Sequence, residues 1–262
     1  MLTRENYYSP EMNQVYMSAS LYSDFLACEA MAMAKLRGEY KPETTKECMI
    51  GSYIHAWNEG TLEHFRANTP EMFTKKGEIR SEFKLADQMI QTLENDPFCM
   101  FALQGEKEVP MTAEMFGTVW KIKIDSYNRS DKARRIVDLK TTKSIYQLVW
   151  SNERWAKVSF VEAYNYLRQL AIYCEVERIS TGHDSWAEPL IVAVSKETPP
   201  DKAIISLLDE ARFATELRHI EENMPRILSV KRGEVEPVRC ERCAYCRQNK
   251  RVRKVIHYSE LA

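Results

Sequence analysis

The chain has no apolar run approaching the roughly 20 residues that cross a bilayer, so its pattern excludes a helical membrane span. It opens Met1-Leu2-Thr3-Arg4-Glu5-Asn6 with no apolar stretch behind, so a secretory leader is not expected and the cytoplasm is the expected compartment. A Gly-x4-Gly-Lys-Ser/Thr loop is missing too, and ATP hydrolysis by this chain is therefore not expected. There are no internal repeats and no low-complexity tracts. Excess charge of either sign is absent: Lys+Arg of 37 against Asp+Glu of 38 leaves a net charge of -1, so any contact with a polyanion must come from local patches. The 7 cysteines are an odd number in a chain of 262 residues that is 44% hydrophobic and can bury a sizeable core without staples, which disfavours a disulfide framework.

What is there begins as helix. Apolar periodicity predicts helices over 17–37, 48–67 and 80–95, the last stopped by Asn95-Asp96-Pro97. Strand-like segments follow near 99–109, 113–126 and 133–140, then a helix over about 157–177. Gly182, Asp184 and Ser185 mark a turn before a strand at Pro189–Ser195. A last helix is predicted from Lys202 to about Asn223, with Ile204, Leu207, Leu208, Ala211, Ala214, Leu217 and Ile220 at helical spacing. Helices leading into a mixed central sheet with a crossover helix give an α/β fold. The expected division is one domain over 1–225 and a basic, cysteine-containing segment over 226–262 that packs on it or extends it.

Two of the strands carry charges that a half-buried strand normally avoids. In Ile136-Val137-Asp138-Leu139-Lys140, period-two alternation puts Asp138 and Lys140 on one face and Val137 and Leu139 on the core face. In Gly117 to Asp125, Trp120, Ile122 and Ile124 take one face, and Asp125 falls at the end of the other. A turn at Asn128-Arg129-Ser130-Asp131 would return the chain as a hairpin and bring Asp138 near Asp125. Two adjacent carboxylates raise each other's pKa unless a cation lies between them, and an oxygen cluster of this kind suits Mg2+ or Mn2+. A lysine beside them can stabilise charge building on a phosphate. A solvated hairpin edge is the plainer alternative. Upstream, Gly51 and His55 lie one turn apart on a helix, the first permitting close approach and the second offering a neutral nitrogen to a metal. Gln169 and Tyr173 are likewise four apart and can face one groove.

In order, Gly51-x3-His55, Asp125, Asp138-x-Lys140 and Gln169-x3-Tyr173 resemble the motifs of the PD-(D/E)XK nucleases, specifically the RecE-like and RecB-like phage exonuclease branch. The opening segment Tyr16 to Cys28, with Ser18 or Ser20 as a helix cap, is similar to the start of that nuclease module, so the resemblance covers nearly the whole chain. The family's first proline is absent, since Ile124 precedes Asp125. The resemblance implies a restriction-endonuclease-like core in which His55, Asp125 and Asp138, with the carbonyl of Leu139, hold the metal. It further implies that Lys140 is the catalytic lysine and that Gln169 and Tyr173 contact DNA. Glu106 and Glu108 are both available as a further acidic position, and the sequence does not choose between them.

Three more cysteines crowd together in Cys240-x2-Cys243-x2-Cys246, among Arg239, Arg242, Arg247, Lys250, Arg251, Arg253 and Lys254. Thiolates select zinc or iron–sulfur centres, and Cys28 is the leading fourth ligand. AddB-type and CRISPR-associated relatives pin a [4Fe-4S] cluster with one early and three late cysteines. Zn2+, such a cluster and reduced, metal-free cysteines all remain open at this point. A second basic patch is expected on the turn, at Arg129, Lys132, Arg134 and Arg135.

The activity implied by the resemblance is Mg2+-dependent hydrolysis of DNA. Its specific form is a 5'-to-3' exonuclease on linear duplex ends in phage-type recombination, working beside a single-strand annealing protein and often as a ring of identical subunits. The alternatives are an iron–sulfur nuclease acting with a helicase or other partner, and a DNA-binding module that no longer cleaves.

Overall fold

The computed structural model describes residues 1–151, 155–252 and 255–261. Arg253 and Lys254 of the basic tail lie outside the described residues. Helices begin where the sequence supplies caps. Ser9 precedes α1 (Pro10–Val15), and the Ser18 hydroxyl accepts from the Leu21 N–H at the start of α2 (Ala19–Ala27). The helix expected over 17–37 is in fact two, because Cys28 is extended (φ -171°) and forms an elbow into α3 (Glu29–Leu36). Thr45 caps α4 (Lys46–Glu59), which Gly60 ends at φ +80° before α5 (Leu62–Ala67), dividing the helix expected over 48–67. Helix α6 (Ser81–Glu94) follows expectation.

The strand expected from 99 begins instead as helix α7 (Pro97–Ala102). Asp96 accepts from the N–H groups of Phe98 and Cys99 at 2.9 and 3.1 Å, and Pro97 opens the first turn. The strand expected over 113–126 is two, β1 (Glu106–Met115) and β2 (Thr118–Asn128), joined at Phe116-Gly117. Both of these turn residues have positive φ, +53° and +77°, as a tight hairpin turn requires. Strand β3 (Arg135–Thr142) returns antiparallel to β2, as the Asn128–Asp131 turn predicted.

A separate two-stranded ribbon joins β4 (Val149–Ser151) to β5 (Ala156–Val158), and β5 takes the first residues of the expected helix. The helix itself is split into α8 (Phe160–Ala163) and α9 (Tyr166–Thr181) by Asn165 at φ +57°. Then come β6 (Glu188–Ser195), β7 (Lys202–Ser206), α10 (Glu210–Lys231) and α11 (Ala244–Gln248). The helix expected from Lys202 starts eight residues later. Lys202–Ser206 pairs antiparallel with β6, and the Asp209 carboxylate, accepting from the Arg212 N–H, sets the true start.

The main sheet has the order β1-β2-β3-β6-β7, with only β3 and β6 parallel, linked through α9. Trp120, Ile122, Ile124 and Ile136 face one core with α9 and α10. Val137, Leu139, Val192 and Val194 face the other with α4 and α6. This is the mixed sheet flanked by helices of a restriction-endonuclease-like core. Strands β2 and β3 pair only from Ser126↔Val137 to Asn128↔Arg135. Ahead of Ser126, the free side of β2 is taken by Met17, whose N–H donates to Val119 O at 2.9 Å and whose carbonyl accepts from the Lys121 N–H at 2.7 Å. The two strands therefore part, and Asp125 and Asp138 stand on either side of the gap.

Candidate active site

Every buried charge in this gap has a structural reason to be there. Asp125 is not the last residue of its strand, as expected, since β2 runs on to Asn128. The Leu139 N–H donates to Asp125 Oδ2 at 2.8 Å, a main-chain bond left over because β3 no longer pairs with β2 there. Asp125 Oδ1 lies 3.5 Å from His55 Nδ1 on α4. Asn58, one turn after His55, donates to the Asp125 carbonyl at 3.3 Å and to Ser126 Oγ at 3.2 Å, tying α4 to the strand.

Of the two glutamates the sequence left open, Glu108 is the one that lies near His55 and Asp125. Glu106 is about half exposed and paired with Arg129 at 2.6 Å, whereas Glu108 is buried and turned into the gap. The β1–β2 register runs unbroken except opposite Asp125, where Glu108 sits at φ +54°. Val109 packs on the α9 side while the Lys107 amine reaches Asn58 Oδ1 and Ser126 Oγ at 2.7 and 2.8 Å on the α4 side, so the strand changes face at Glu108. A glutamate in the left-handed region is strained by about 1–3 kcal/mol, a cost that concentrates at functional sites. Lys123 pairs with the Glu108 carboxylate and lies 4.4 Å from the centre of the Tyr8 ring.

Asp138 and Lys140 share a face of β3, with Nζ 2.7 Å from Asp138 Oδ2. Gln169 of α9 donates to Asp138 Oδ1 at 3.1 Å, and Lys140 Nζ lies 4.8 Å from the centre of the Tyr166 ring. Tyr173 lines the same cleft, of about 670 Å³, with its hydroxyl held strongly in the neutral form by burial. Gly51 is one turn from His55, but no protein backbone presses on it. A Cβ there would meet only Thr141 Oγ1, at 3.6 Å.

The electrostatics are those of crowded carboxylates. Burial, then the Asp125 charge, outweigh the Lys140 amine and hold the Asp138 carboxyl above the usual range. Burial raises Glu108 as well, against the pull of Lys123. Burial would also raise Asp125, but the charges of His55 and Lys140 and the Leu139 N–H bring it below the usual range. His55 answers in the opposite sense: burial would lower it, and Asp125 raises it overall. Lys140 is kept firmly charged, because Asp138 and Asp125 overcome its burial.

A divalent cation fits these residues. Ligand atoms of His55, Glu108 and Asp125 lie within 4.8 Å of one another. Asp138 Oδ2 is buried with the Lys140 amine 2.7 Å away, and the nearby Asp125 charge works against its ionised form, a strain that a bound cation would relieve. Oxygen donors with one imidazole suit Mg2+ or Mn2+.

The expected basic turn is only partly displayed. Arg129 is engaged by Glu106, Arg134 is buried against Glu177, and Arg135 is buried with its guanidinium on the carbonyls of Phe101, Ala102 and Gln104. Arg134 and Arg135 brace the fold, while Arg129, in an exposed ion pair, and Lys132 stay at the surface of the turn.

The second cluster joins Cys28, at the α2–α3 elbow, to Cys240, Cys243 and Cys246. All four sulfurs lie within 4.8 Å of one another. Cys28 Sγ is 3.6 Å and Cys240 Sγ 3.9 Å from Cys246 Sγ. The N–H of Cys243 donates to Cys240 Sγ and that of Cys246 to Cys243 Sγ, at 3.3 and 3.4 Å. Main-chain N–H groups, that of Arg242 foremost, lower the Cys240 thiol to about 6. The four sulfurs can close a soft-metal shell.

Residues 18–249 match the model of a family described as a PDDEXK-like domain of unknown function. A solved chain from Eubacterium rectale, named a "Putative exonuclease", is 41% identical over 100% of this chain and 98% of its own, with a TM-score of 0.92. A second solved chain, 16% identical over 82% of this chain and 89% of its own, has a TM-score of 0.32, too low to bear on the fold. No curated protein matches the chain. The chain belongs to this PDDEXK-like family of the PD-(D/E)XK nuclease superfamily, and in fold and acidic centre it is of the metal-dependent nuclease type.

Proposed function

We propose that the chain is a Mg2+- or Mn2+-dependent exodeoxyribonuclease that degrades linear double-stranded DNA 5'-to-3'. The observation that carries the chemistry is the convergence of His55, Glu108 and Asp125 beside the Asp138–Lys140 pair, in a cleft open to solvent. The exonuclease mode and polarity are supported by the resemblance to RecE-like enzymes, and the mode also by the name of the Eubacterium rectale relative.

In this reading His55, Glu108, Asp125 and Asp138 would hold the metal, with the Leu139 carbonyl as a further candidate ligand. A divalent cation held there would supply a water activated at neutral pH and offset charge on the phosphate. Lys140 keeps its proton beside Asp138 and stabilises the charge that develops on the phosphate oxygens. Gln169 orients Asp138, and Tyr173 lines the DNA side of the cleft. The Leu139 N–H fixes the rotamer of Asp125, so a ligand oxygen stays aimed without the metal.

For the cysteine cluster we favour a single Zn2+ ion. A tetrahedron with bonds of about 2.3 Å has sulfur edges of about 3.8 Å, and the distances of 3.6 and 3.9 Å match it. A [4Fe-4S] cluster interposes several iron and sulfide atoms and needs wider separations. The expected division at residue 225, the cytoplasmic location, a single-strand annealing partner and a ring of subunits stay part of the proposal.

Purified protein with end-labelled linear duplex, covalently closed circular duplex and single-stranded DNA, in Mg2+, Mn2+ or EDTA, tests the reading. Metal-dependent shortening of linear DNA from its 5' ends, sparing the circle and lost in Asp138→Asn, is expected. Cutting of the circle would refute the exonuclease mode. Intact substrates throughout, with folded protein, would refute the nuclease reading.

A further inference from the structure

A second groove, of about 580 Å³, adjoins the acidic centre, and none of Glu108, Asp125 and Asp138 lines it. It shares His55, Lys140 and Tyr164 with the first cleft, so the two meet at the candidate metal site. Their charges differ sharply. The first is lined by Glu59, Glu108, Asp125 and Asp138 against Lys123 and Lys140. The second carries Lys140, Lys143 and Lys196 against Glu47 alone. A phosphate adjoining the scissile one is repelled by the first and attracted by the second.

The backbone explains why these lysines gather. Lys143 and Lys196 each follow the last residue of a strand, and those strands, β3 and β6, are parallel neighbours paired at Thr142↔Ser195. The Lys196 N–H donates to Thr142 O at 2.8 Å, which fixes the two chain ends side by side. The carboxyl ends of parallel strands are the usual place for a ligand in an open α/β sheet. The opposite wall is α4, where Gly51 offers no side chain and its missing Cβ would stand 3.6 Å from Thr141 Oγ1. That position is where a strand can lie closest to helix backbone.

We propose that the groove between Gly51 of α4 and the ends of β3 and β6 is a phosphate track, in which Lys143 and Lys196 hold the sugar-phosphate backbone of a single DNA strand next to the bond cut at the acidic centre. This deepens the nuclease reading and rests on it. Lys143 and Lys196 are positioning residues, and their contribution is to the grip on the strand, not to the bond-breaking step.

The test is the affinity of a fluorescein-labelled 12-nucleotide single strand, measured by anisotropy with Ca2+ in place of Mg2+ over a salt series, for wild type, Lys143→Ala, Lys196→Ala, the double variant and Gly51→Ala. Each lost lysine should make the log K against log salt slope shallower by about 0.7, and the double variant should bind about tenfold more weakly. Cleavage at saturating DNA in Mg2+ should stay near the wild-type rate. Gly51→Ala should keep or raise the melting temperature, since alanine favours helix, while weakening binding by filling the groove. A wild type that cleaves DNA while the double variant binds with unchanged affinity and slope would overturn the phosphate track and leave the nuclease reading standing. A wild type that neither binds nor cleaves would sink both.

Discussion

The acidic centre and the cysteine cluster are both assembled from residues far apart in sequence, yet they stand in opposite relation to their own charge. The acidic centre brings its own cations: Lys140 sits on Asp138, Lys123 on Glu108 and the His55 ring on Asp125. The cysteine cluster has no lysine or arginine paired with its sulfurs among the described residues; its sulfurs meet main-chain N–H donors, the Val238 carbonyl and one another. It also closes a loop from residue 28 to residue 246, so an ion bound there becomes folding free energy. One site is built for chemistry and the other for holding the two ends of the chain together.

The largest expected effect separates charge from coordination at the acidic centre. Lys140→Ala should cut the cleavage rate by about 10²–10³-fold while Mn2+ binding, followed by calorimetry, stays within a few-fold of wild type. Near-normal turnover would remove Lys140 from the chemistry. Next, Cys243→Ser should lower the melting temperature by about 10 °C, on the order of 3 kcal/mol, and leave cleavage at 25 °C within about twofold of wild type. Metal analysis of the wild type should find one zinc per chain, and an absorbance band near 400 nm would show iron–sulfur instead.

A smaller contrast lies between two glutamates two residues apart. Glu108→Gln should weaken Mn2+ binding by about 10-fold or more, whereas Glu106→Gln, which only loosens an exposed ion pair with Arg129, should be silent. Equal effects would mean that the face change at Glu108 has no functional purpose.

The mildest prediction concerns pH. The raised value of His55 stabilises the metal-free fold below its ordinary value of about 6.5, and that contribution is lost as pH rises through the raised value. The lowered value of Asp125 works the other way, present above about 3.9 and lost as pH falls. If His55 is a ligand, metal binding requires it to shed its proton. The rise in melting temperature on adding Mn2+ should therefore grow as pH climbs through the His55 value, and this growth should flatten in His55→Asn. A metal effect largest at acid pH would contradict the ligand role.

The elements nearest the site were the most legible in the sequence. Asp138-x-Lys140 could be read because period-two alternation places both on one face, and Ile136 to Lys140 does form a strand with Val137 and Leu139 in the core. The hairpin at Asn128–Asp131 followed from turn chemistry. Glu108 could not be singled out, because what distinguishes it from Glu106 is a left-handed backbone conformation in mid-strand, and periodicity carries no sign of that. The single available hint was its own position, a charge next to Val109 where alternation is already broken. Helix lengths were overread wherever apolar spacing continued through a break, as at Cys28, Gly60 and Asn165. At Lys202–Ser206 the Ile204 and Ile205 pair had strand character, but the helical spacing of Leu207 and Leu208 extended the helix backwards over it. The turn charges show the limit of counting them, since buried contacts take up two of the four, Arg134 and Arg135.

The most direct test of the central claim, that the β2–β3 gap is the centre of a metal-dependent nuclease, is the hydrolysis of linear duplex DNA by wild type and Asp125→Asn, side by side in Mg2+ and in EDTA, with melting curves for both proteins. The account predicts cleavage by wild type in Mg2+ alone and none by the folded Asp125→Asn variant. Undiminished cleavage by Asp125→Asn, or by wild type in EDTA, would contradict it.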